Sequence, residues 1–157
     1  PMSVEILDAI VDDYQTRATQ KGIILYYEPL PPDTSWILAD KQTVRQIFEN
    51  LISNAVKYSP PWKQVWVRVK HTEFSGKKMM RVEVQDEGPG LSEEDKSKLF
   101  QKFARLSAQP TGGENSTGLG LSIVKKLVEL QQGRVWCEST LGKGATFIVE
   151  FPLIQHS

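Results

Sequence analysis

FENLISNAVKYSP, residues 48–60, is the most informative segment in this chain of 157 residues. Apolar side chains recur every three or four positions between Val44 and Val56, a spacing that predicts one buried face of a helix. Asp40 stands where an N-cap residue belongs, and Pro60 ends the periodic segment. The pattern therefore predicts a helix between Asp40 and Pro60 with one side packed against a core.

The other face of this helix carries an unusual pair of asparagines. At about 100° per residue, Asn50, Asn54 and Lys57 fall within about 60° of one another. Asparagine is a mediocre helix former, whereas its amide oxygen can ligate a hard cation such as magnesium without adding charge. A lysine one turn further on can meet phosphate oxygens as a point charge. From the pattern alone, a solvated polar face stays open as the alternative.

Three further helices are expected. Apolar residues form one stripe between Ser3 and Gln20, with Ser3 as the expected N-cap and Gly22 as the residue that stops the helix. The other two run from Ser92 to near Phe100 and from Leu119 to Leu130.

Short β-like runs surround these helices. They share alternating or continuous apolar residues between turn-forming residues, and they cover residues 23–27, 36–39, 65–70, 82–84, 134–138 and 146–153. The third and fourth should form a hairpin, and a Gly-Lys-Gly turn joins the last two. Such short links do not suit a purely parallel sheet. We therefore predict an α/β fold, a two-layer α/β sandwich in which helices pack on one face of a mixed β-sheet.

Composition excludes several functional classes. The 19 Lys and Arg residues balance 19 Asp and Glu residues, which argues against an extended surface for nucleic acid. One cysteine and two histidines are too few for an internal disulfide or a structural zinc site. No apolar run approaches the ~18 residues of a membrane span, and no signal-peptide pattern is present. We expect one soluble, cytoplasmic domain over residues 1–157.

Two glycine-containing segments add candidate binding chemistry. The segment DEGPG, residues 86–90, follows a strand, so its aspartate can accept from an exocyclic amine while its glycines admit a flat ring. The same composition also suits an ordinary turn. Gly118-Leu119-Gly120 opens a helix, whose exposed N–H groups and dipole favour an anion. Each signal is weak by itself.

Four segments in fixed order resemble the catalytic, ATP-binding domain of bacterial sensor histidine kinases, within the GHKL ATPase superfamily. FENLISNAVKYSP (48–60) is similar to the N box, DEGPG (86–90) to the first glycine box, LFQKFARL (99–106) to the F box and STGLGLSIVKKLVEL (116–130) to the second glycine box. The resemblance covers the chain from about Ser3 to Leu153. It implies a Bergerat-type ATP-binding fold, with an ATP lid over residues 106–117 and residues 1–22 either integral or the linker from a missing dimerisation domain.

The resemblance also implies roles for individual residues. Asn54 would ligate Mg²⁺, Tyr58 would flank the adenine ring, and Asp86 would accept from the adenine amino group. Asn50, Lys57 and Arg105 form the implied catalytic set. The implied set for binding ATP is Asn50, Asn54, Lys57, Tyr58, Asp86, Gly88, Gly90, Arg105, Thr117, Gly118, Leu119 and Gly120.

The residue at position 50 distinguishes a kinase from a hydrolase. In hydrolytic relatives this position holds a glutamate that activates water, whereas Asn50 cannot act as a base, and Glu49 lies about 100° around the helix. The resemblance therefore implies transfer to a histidine on a separate dimerisation domain of the same protein, with a response regulator downstream. His71 and His156 do not resemble that acceptor. We expect a monomeric fragment, a homodimeric parent protein and no nucleic-acid partner.

Two alternatives and two departures accompany this interpretation. The alternatives are a GHKL serine kinase or anti-sigma-factor-like domain, and a nucleotide-binding module with only a scaffolding role. Ser116 replaces a glycine of the second glycine box. Gln132-Gly133 replaces a Gly-Gly pair after the last helix, which we expect to be a neutral variation of a C-cap. Phe100 and Phe103 of the F box could also be plain core residues.

Overall fold

The predicted helices and strands are present, although the first helix begins later and the two hairpin strands extend further than predicted. The structure, a computed structural model, describes residues 2–3, 6–29, 36–37, 40–98, 100, 120–140 and 142–153. Its elements are β1 (Met2–Ser3), α1 (Ile6–Lys21), β2 (Ile24–Glu28), β3 (Trp36–Ile37), α2 (Lys41–Tyr58), β4 (Gln64–Phe74), β5 (Lys77–Asp86), α3 (Glu93–Lys98), α4 (Gly120–Leu130), β6 (Arg134–Ser139) and β7 (Ala145–Pro152).

Five strands form one mixed sheet in the order β2-β4-β5-β7-β6. Strand β2 runs parallel to β4, and the other three pairs are antiparallel. The parallel pair is connected through α2, whereas β4 and β5 form the predicted hairpin around Ser75 and Gly76, both of which have positive φ. The mixed sheet of the predicted fold class is thus present.

Helix α2 is the central helix of the layer that covers this sheet. The Asp40 side chain accepts a hydrogen bond from the Thr43 backbone N–H at 3.1 Å, which confirms the predicted N-cap. Its buried apolar residues are Val44, Ile47, Phe48, Leu51, Ile52, Ala55 and Val56. α2 packs against α1, α4 and the central strands, and the Phe48 ring meets the Phe151 ring edge-on at 6.2 Å. In the described part of the chain, no helix combines the length and apolarity that crossing a bilayer requires.

The predicted N-cap of the first helix is wrong. Ser3 lies in β1, where its backbone pairs antiparallel with Trp36 of β3, and α1 begins only at Ile6. A residue held in a strand pairing cannot also cap a helix that starts three positions later. The apolar stripe itself is confirmed, because Leu7, Val11 and Ala18 are all buried.

Gln132, which follows α4, occupies a left-handed conformation with φ 63°. The Gly133 N–H donates to the Val128 carbonyl at 3.0 Å, so the predicted C-cap is present, but a residue with a Cβ is strained at its bend.

We therefore expect Gln132→Gly to stabilise the chain by about 0.5–1 kcal/mol, since the relief of left-handed strain exceeds the extra entropy of the unfolded glycine chain. Denaturant unfolding measures this change. Gly133→Ala, at the neighbouring position, is a control with the opposite expected effect. Its new Cβ would collide with the Glu150 carbonyl oxygen and destabilise the chain. A Gln132→Gly chain no more stable than the parent would contradict the assignment of strain.

Candidate functional site

The polar face of α2 presents its two asparagines as predicted. Both side chains are half-buried, and the Asn50 Nδ2 donates to the Gln46 carbonyl at 2.9 Å. Since the nitrogen of Asn50 is engaged, its amide oxygen remains as an acceptor. Asn54, one turn further on, makes no side-chain hydrogen bond to any other described residue. Amide oxygens of this kind suit a hard cation, and no cluster of His, Cys, Asp and Glu able to hold a metal occurs among the described residues.

Glu49, the carboxylate next to Asn50 on α2, is paired with an arginine. A Glu49 Oε1 lies 3.2 Å from the Arg45 guanidinium, which also lies 3.3 Å from an Asp13 carboxylate oxygen. This pairing holds Glu49 toward α1. The described part of α2 therefore has no carboxylate poised to activate water beside Asn50.

Asp86, the last residue of β5, is the most deeply buried acid in the predicted site, with 5% of its surface exposed. Its Oδ1 accepts hydrogen bonds from the Gly88 N–H at 2.8 Å and the Ala145 N–H at 3.2 Å. No described residue donates to Oδ2. The two bonds to one oxygen fix the carboxylate plane and leave the other oxygen as an acceptor for a ligand.

The environment of Asp86 also alters its ionisation. Burial raises the pKa of this carboxyl to about 6, and the backbone hydrogen bonds from Gly88 and Ala145 oppose that rise only in part. A carboxyl with a pKa near 6 is ionised at neutral pH and becomes protonated in mild acid.

The loop after Asp86 is tied to the end of α2. A Cβ on Gly88 would lie 2.6 Å from the Tyr58 carbonyl oxygen, so only glycine permits this approach. The Glu87 N–H donates to the Ser59 Oγ at 3.3 Å, and a Glu87 carboxylate oxygen accepts from the Gln64 N–H at 2.6 Å. The acceptor carboxylate and the polar end of α2 therefore belong to one rigid cluster.

Two glycines close this cluster on its other side. Gly90 has φ 75°, and a Cβ there would collide with the Thr140 carbonyl oxygen. Gly144 has φ 79° and packs directly against the Asp86 carbonyl oxygen. Gly88 and Gly90 are thus required for the close packing of these backbone segments, whereas their predicted role in shaping a purine pocket stays a prediction.

Three contributors to the site were missed by sequence reasoning. The Ala145 N–H is the second donor to the Asp86 carboxylate, and Gly144 lets the two backbones approach closely enough for this bond. The Ser59 hydroxyl accepts from the Glu87 N–H of the loop. The Gly-Lys-Gly turn before the last strand was a usable signal for the first two. Its meaning depends on the antiparallel register that sets Ala145 opposite Asp86.

Helix α4 is described from Gly120, and the predicted first residue, Leu119, lies outside the described residues. The Asp40 N–H bonds to the side-chain oxygen of Gln131 at 3.3 Å, so the C-terminal end of α4 lies at the start of α2. Helices α2 and α4 pack together along the sheet. The N-terminus of such a helix favours an anion.

Several predicted residues lie outside the described residues. They are Arg105, Thr117, Gly118 and Leu119 of the predicted ATP-binding set, together with Phe103, Ser116 and the predicted lid over 106–117. Phe100 of the same segment is described, and its ring meets the Phe147 ring edge-on at 6.5 Å. Phe100 therefore contacts the core, while the Lys125 ammonium lies 6.0 Å from its ring centre.

Together these groups form a site with two chemical ends. One end holds a buried, fixed carboxylate oxygen that can accept from an amine on a flat ring. The other end holds amide oxygens on α2, which suit a metal ion, and the packed neighbour α4 has an N-terminus that favours an anionic group. This combination fits a ligand that joins an amino-substituted base to phosphates.

Comparison with known proteins identifies the family. A family model described as "Histidine kinase-, DNA gyrase B-, and HSP90-like ATPase" matches residues 39–155. Sensor histidine kinase WalK of Bacillus subtilis is 31% identical over 149 residues, which are 95% of this chain and 24% of that protein. Circadian input-output histidine kinase CikA of Synechococcus elongatus is 42% identical over 114 residues, 73% of this chain and 15% of that protein. The chain therefore spans about a quarter or less of these relatives.

Solved structures extend the comparison to the fold. The catalytic domain of histidine kinase ThkA, free of nucleotide, has a TM-score of 0.77 at 27% identity, covering 94% of this chain and 90% of that one. Full-length ShkA in complex with AMPPNP has a TM-score of 0.78 at 32% identity, covering all of this chain and 31% of that one. The predicted two-layer Bergerat-type fold is confirmed.

Proposed function

Because the chain belongs to the histidine kinase-, DNA gyrase B- and HSP90-like ATPase family, as its four sequence boxes predict, we propose that it binds ATP with Mg²⁺ and transfers the γ-phosphoryl group to a histidine of a separate dimerisation domain. The proposed acceptor domain belongs to the same protein, and a response regulator receives the phosphoryl group next. The curated relatives are sensor histidine kinases, which favours histidine over serine as the acceptor.

One observation carries the nucleotide assignment. Asp86 is fixed through one oxygen and offers the other, beside glycines that bring the backbone close. The 6-amino group of adenine is the matching donor for this oxygen. The similar ShkA structure holds AMPPNP, which supports an adenine nucleotide as the ligand.

The residues on α2 fit a magnesium ion at the phosphate end. Asn54 offers an amide oxygen, and Asn50 offers a second because its nitrogen is engaged with Gln46. When bound, Mg²⁺ neutralises charge on the phosphate oxygens. Lys57 on the same face adds a positive point charge, and we assign Arg105, Thr117, Gly118 and Leu119 to the phosphates from the resemblance alone.

Transfer rather than hydrolysis follows from the side chains of this helix. Asn50 has no basic group, and Glu49 is paired with Arg45. Phosphoryl transfer needs positioning and charge neutralisation more than covalent participation by the protein. The site therefore retains ATP until an acceptor histidine docks. We assign the domain to the cytoplasm, where ATP and a response regulator are available.

Nucleotide affinity should fall as the pH is lowered through about 6. Bound adenine requires the ionised form of Asp86, whose pKa lies at about 6, so the dissociation constant should approach a tenfold rise per pH unit below that value. Titrations between pH 5 and 8 measure this dependence. Asp86→Asn is the control that removes the carboxyl while retaining the nucleotide's own titration. An equal pH dependence in both chains would contradict the assignment.

Label transfer from γ-labelled ATP tests the proposed reaction. The chain is mixed with a purified histidine-bearing dimerisation domain of the same protein, and with a variant of that domain lacking the histidine. We expect label on the intact acceptor, none on the variant and none on this chain by itself. Strong self-labelling, or labelling of the acceptor that lacks its histidine, would overturn the proposal.

A further inference from the structure

We propose that Lys21, the last residue of α1, is a positioning residue for the nucleotide site, because it holds the turn of α2 that carries Lys57 and Tyr58. The proposal rests on the proposed function. It extends the site to a helix that contributes none of the predicted ligand contacts.

The contact is a pair of charge-assisted hydrogen bonds across the two helices. The Lys21 Nζ donates to the Val56 carbonyl at 2.7 Å and to the Lys57 carbonyl at 2.9 Å. Both bonds are partly buried and join residues 35 and 36 positions apart. Bonds from an ionised donor are shorter and stronger than those between neutral groups.

These two carbonyls need an external partner. The last carbonyls of a helix lack intrahelical donors. Among the described residues, the Ser59 N–H caps only the Ala55 carbonyl of α2, at 3.1 Å. The next two carbonyls are those that Lys21 binds. An ammonium group at this end also interacts favourably with the helix dipole. Lys21 thus completes the C-terminal cap of α2.

The connection between α1 and the start of β4 keeps Lys21 in place. The Trp62 N–H donates to the Gly22 carbonyl at 3.2 Å, and the Ile24 N–H donates to the Lys63 carbonyl at 3.1 Å. The Trp62 indole lies against Gly22, where a Cβ would come within 3.0 Å of the ring. The end of α1 is therefore fixed relative to the turn that follows α2.

The capped turn bears directly on the site. Lys57 is the proposed phosphate contact, Tyr58 the proposed neighbour of adenine, and the Tyr58 carbonyl packs against Gly88. A cavity of about 570 Å³ between α1 and α2 adjoins this turn, lined by Arg17, Lys21 and Lys57 among others. Loss of the Lys21 bonds would free two carbonyls beside this cavity and let the turn fray. The phosphate and adenine contacts would then lose their fixed relation.

Lys21→Met tests the proposal, because it retains most of the side-chain stem and removes the donor. We expect the dissociation constant for Mg·ATP to rise about 5- to 20-fold, with the rate of transfer at saturating ATP changed less than about twofold. Arg17→Met is the matched control. It removes an equal charge from the same cavity, but Arg17 stacks on Tyr14 at 5.0 Å rather than capping α2, so we expect less than a twofold change. Lys21→Arg keeps a charged donor and should bind Mg·ATP about as tightly as the parent chain.

A double-mutant cycle with Lys57→Met separates positioning from general stability. If Lys21 acts through Lys57, its substitution should weaken binding by about threefold or less once Lys57 is gone. An equal factor in both backgrounds would overturn the proposal, as would equal losses in Lys21→Met and Arg17→Met. Lys21→Gln, with a shorter uncharged donor, serves the same cycle if the methionine variant does not fold. Failure of the parent chain to bind ATP would instead reject the proposed function.

Discussion

Asp86→Asn should weaken binding of adenine nucleotides by roughly 1.5–3 kcal/mol, or about 10- to 150-fold in dissociation constant. The amide oxygen of the substituted side chain can still accept from Gly88 and Ala145, which occupy Oδ1 in the parent chain. That arrangement turns the amide nitrogen, a donor, toward the adenine amino group, which is also a donor. The charge and the acceptor are lost together, while the shape of the site is retained. Calorimetric titration measures the change.

The matched control is the adjacent Glu87→Gln, which removes the same charge one residue away. Glu87 accepts from the Gln64 backbone N–H, and a glutamine oxygen can continue to do so. We expect a change in affinity of less than about twofold. Unfolding measurements should show Asp86→Asn as stable as the parent chain, because a neutral amide avoids the burial of a charge. Equal affinities for Asp86→Asn and the parent would remove Asp86 from the site.

Asn54→Ala should abolish most of the magnesium-dependent activity while sparing nucleotide binding without metal. Outer-shell partners of metal sites typically contribute about 10- to 100-fold, so a direct ligand should cost at least that in transfer rate. Without Mg²⁺ the dissociation constant should change less than about twofold, because Asn54 has no assigned contact to the base. Titrations with Mg²⁺ and with EDTA, paired with transfer rates, measure the two effects.

Gln46→Ala is the control for this substitution, because it removes a side-chain amide from the same face two turns earlier on α2. Its side chain is exposed, and only its backbone carbonyl takes part in the site, through Asn50. Equal losses with and without metal in Asn54→Ala would argue that the residue supports the fold of the site rather than ligating Mg²⁺.

Much of this architecture could be predicted from the sequence because local periodicity determines it. The apolar spacing along α2 also fixes the opposite face, so Asn50, Asn54 and Lys57 fall together without knowledge of the tertiary fold. The predicted N-cap role of Asp40 is confirmed, because an N-cap depends on a contact only three residues away. The hairpin of β4 and β5 followed from alternation around a turn.

The remaining features depend on contacts between distant residues. Ala145 binds Asp86 across 59 positions, through the register of β5 and β7, and no local pattern specifies that register. Lys21 resembles any basic residue at the end of a helix until its bonds to α2 are known. Ser3 is of a residue type that is common at N-caps, but in the structure it pairs with β3 instead of capping α1. Long-range pairing thus explains both the missed residues and the wrong one.

Titration of the chain with AMPPNP in Mg²⁺, beside the guanine analogue GMPPNP, tests whether Asp86 recognises an adenine nucleotide. We predict saturable binding of one AMPPNP per chain with a dissociation constant below about 1 mM, and GMPPNP at least about tenfold weaker, because guanine presents a carbonyl oxygen to the Asp86 carboxylate. Absence of binding at millimolar AMPPNP, or equal affinity for the two analogues, would contradict the account.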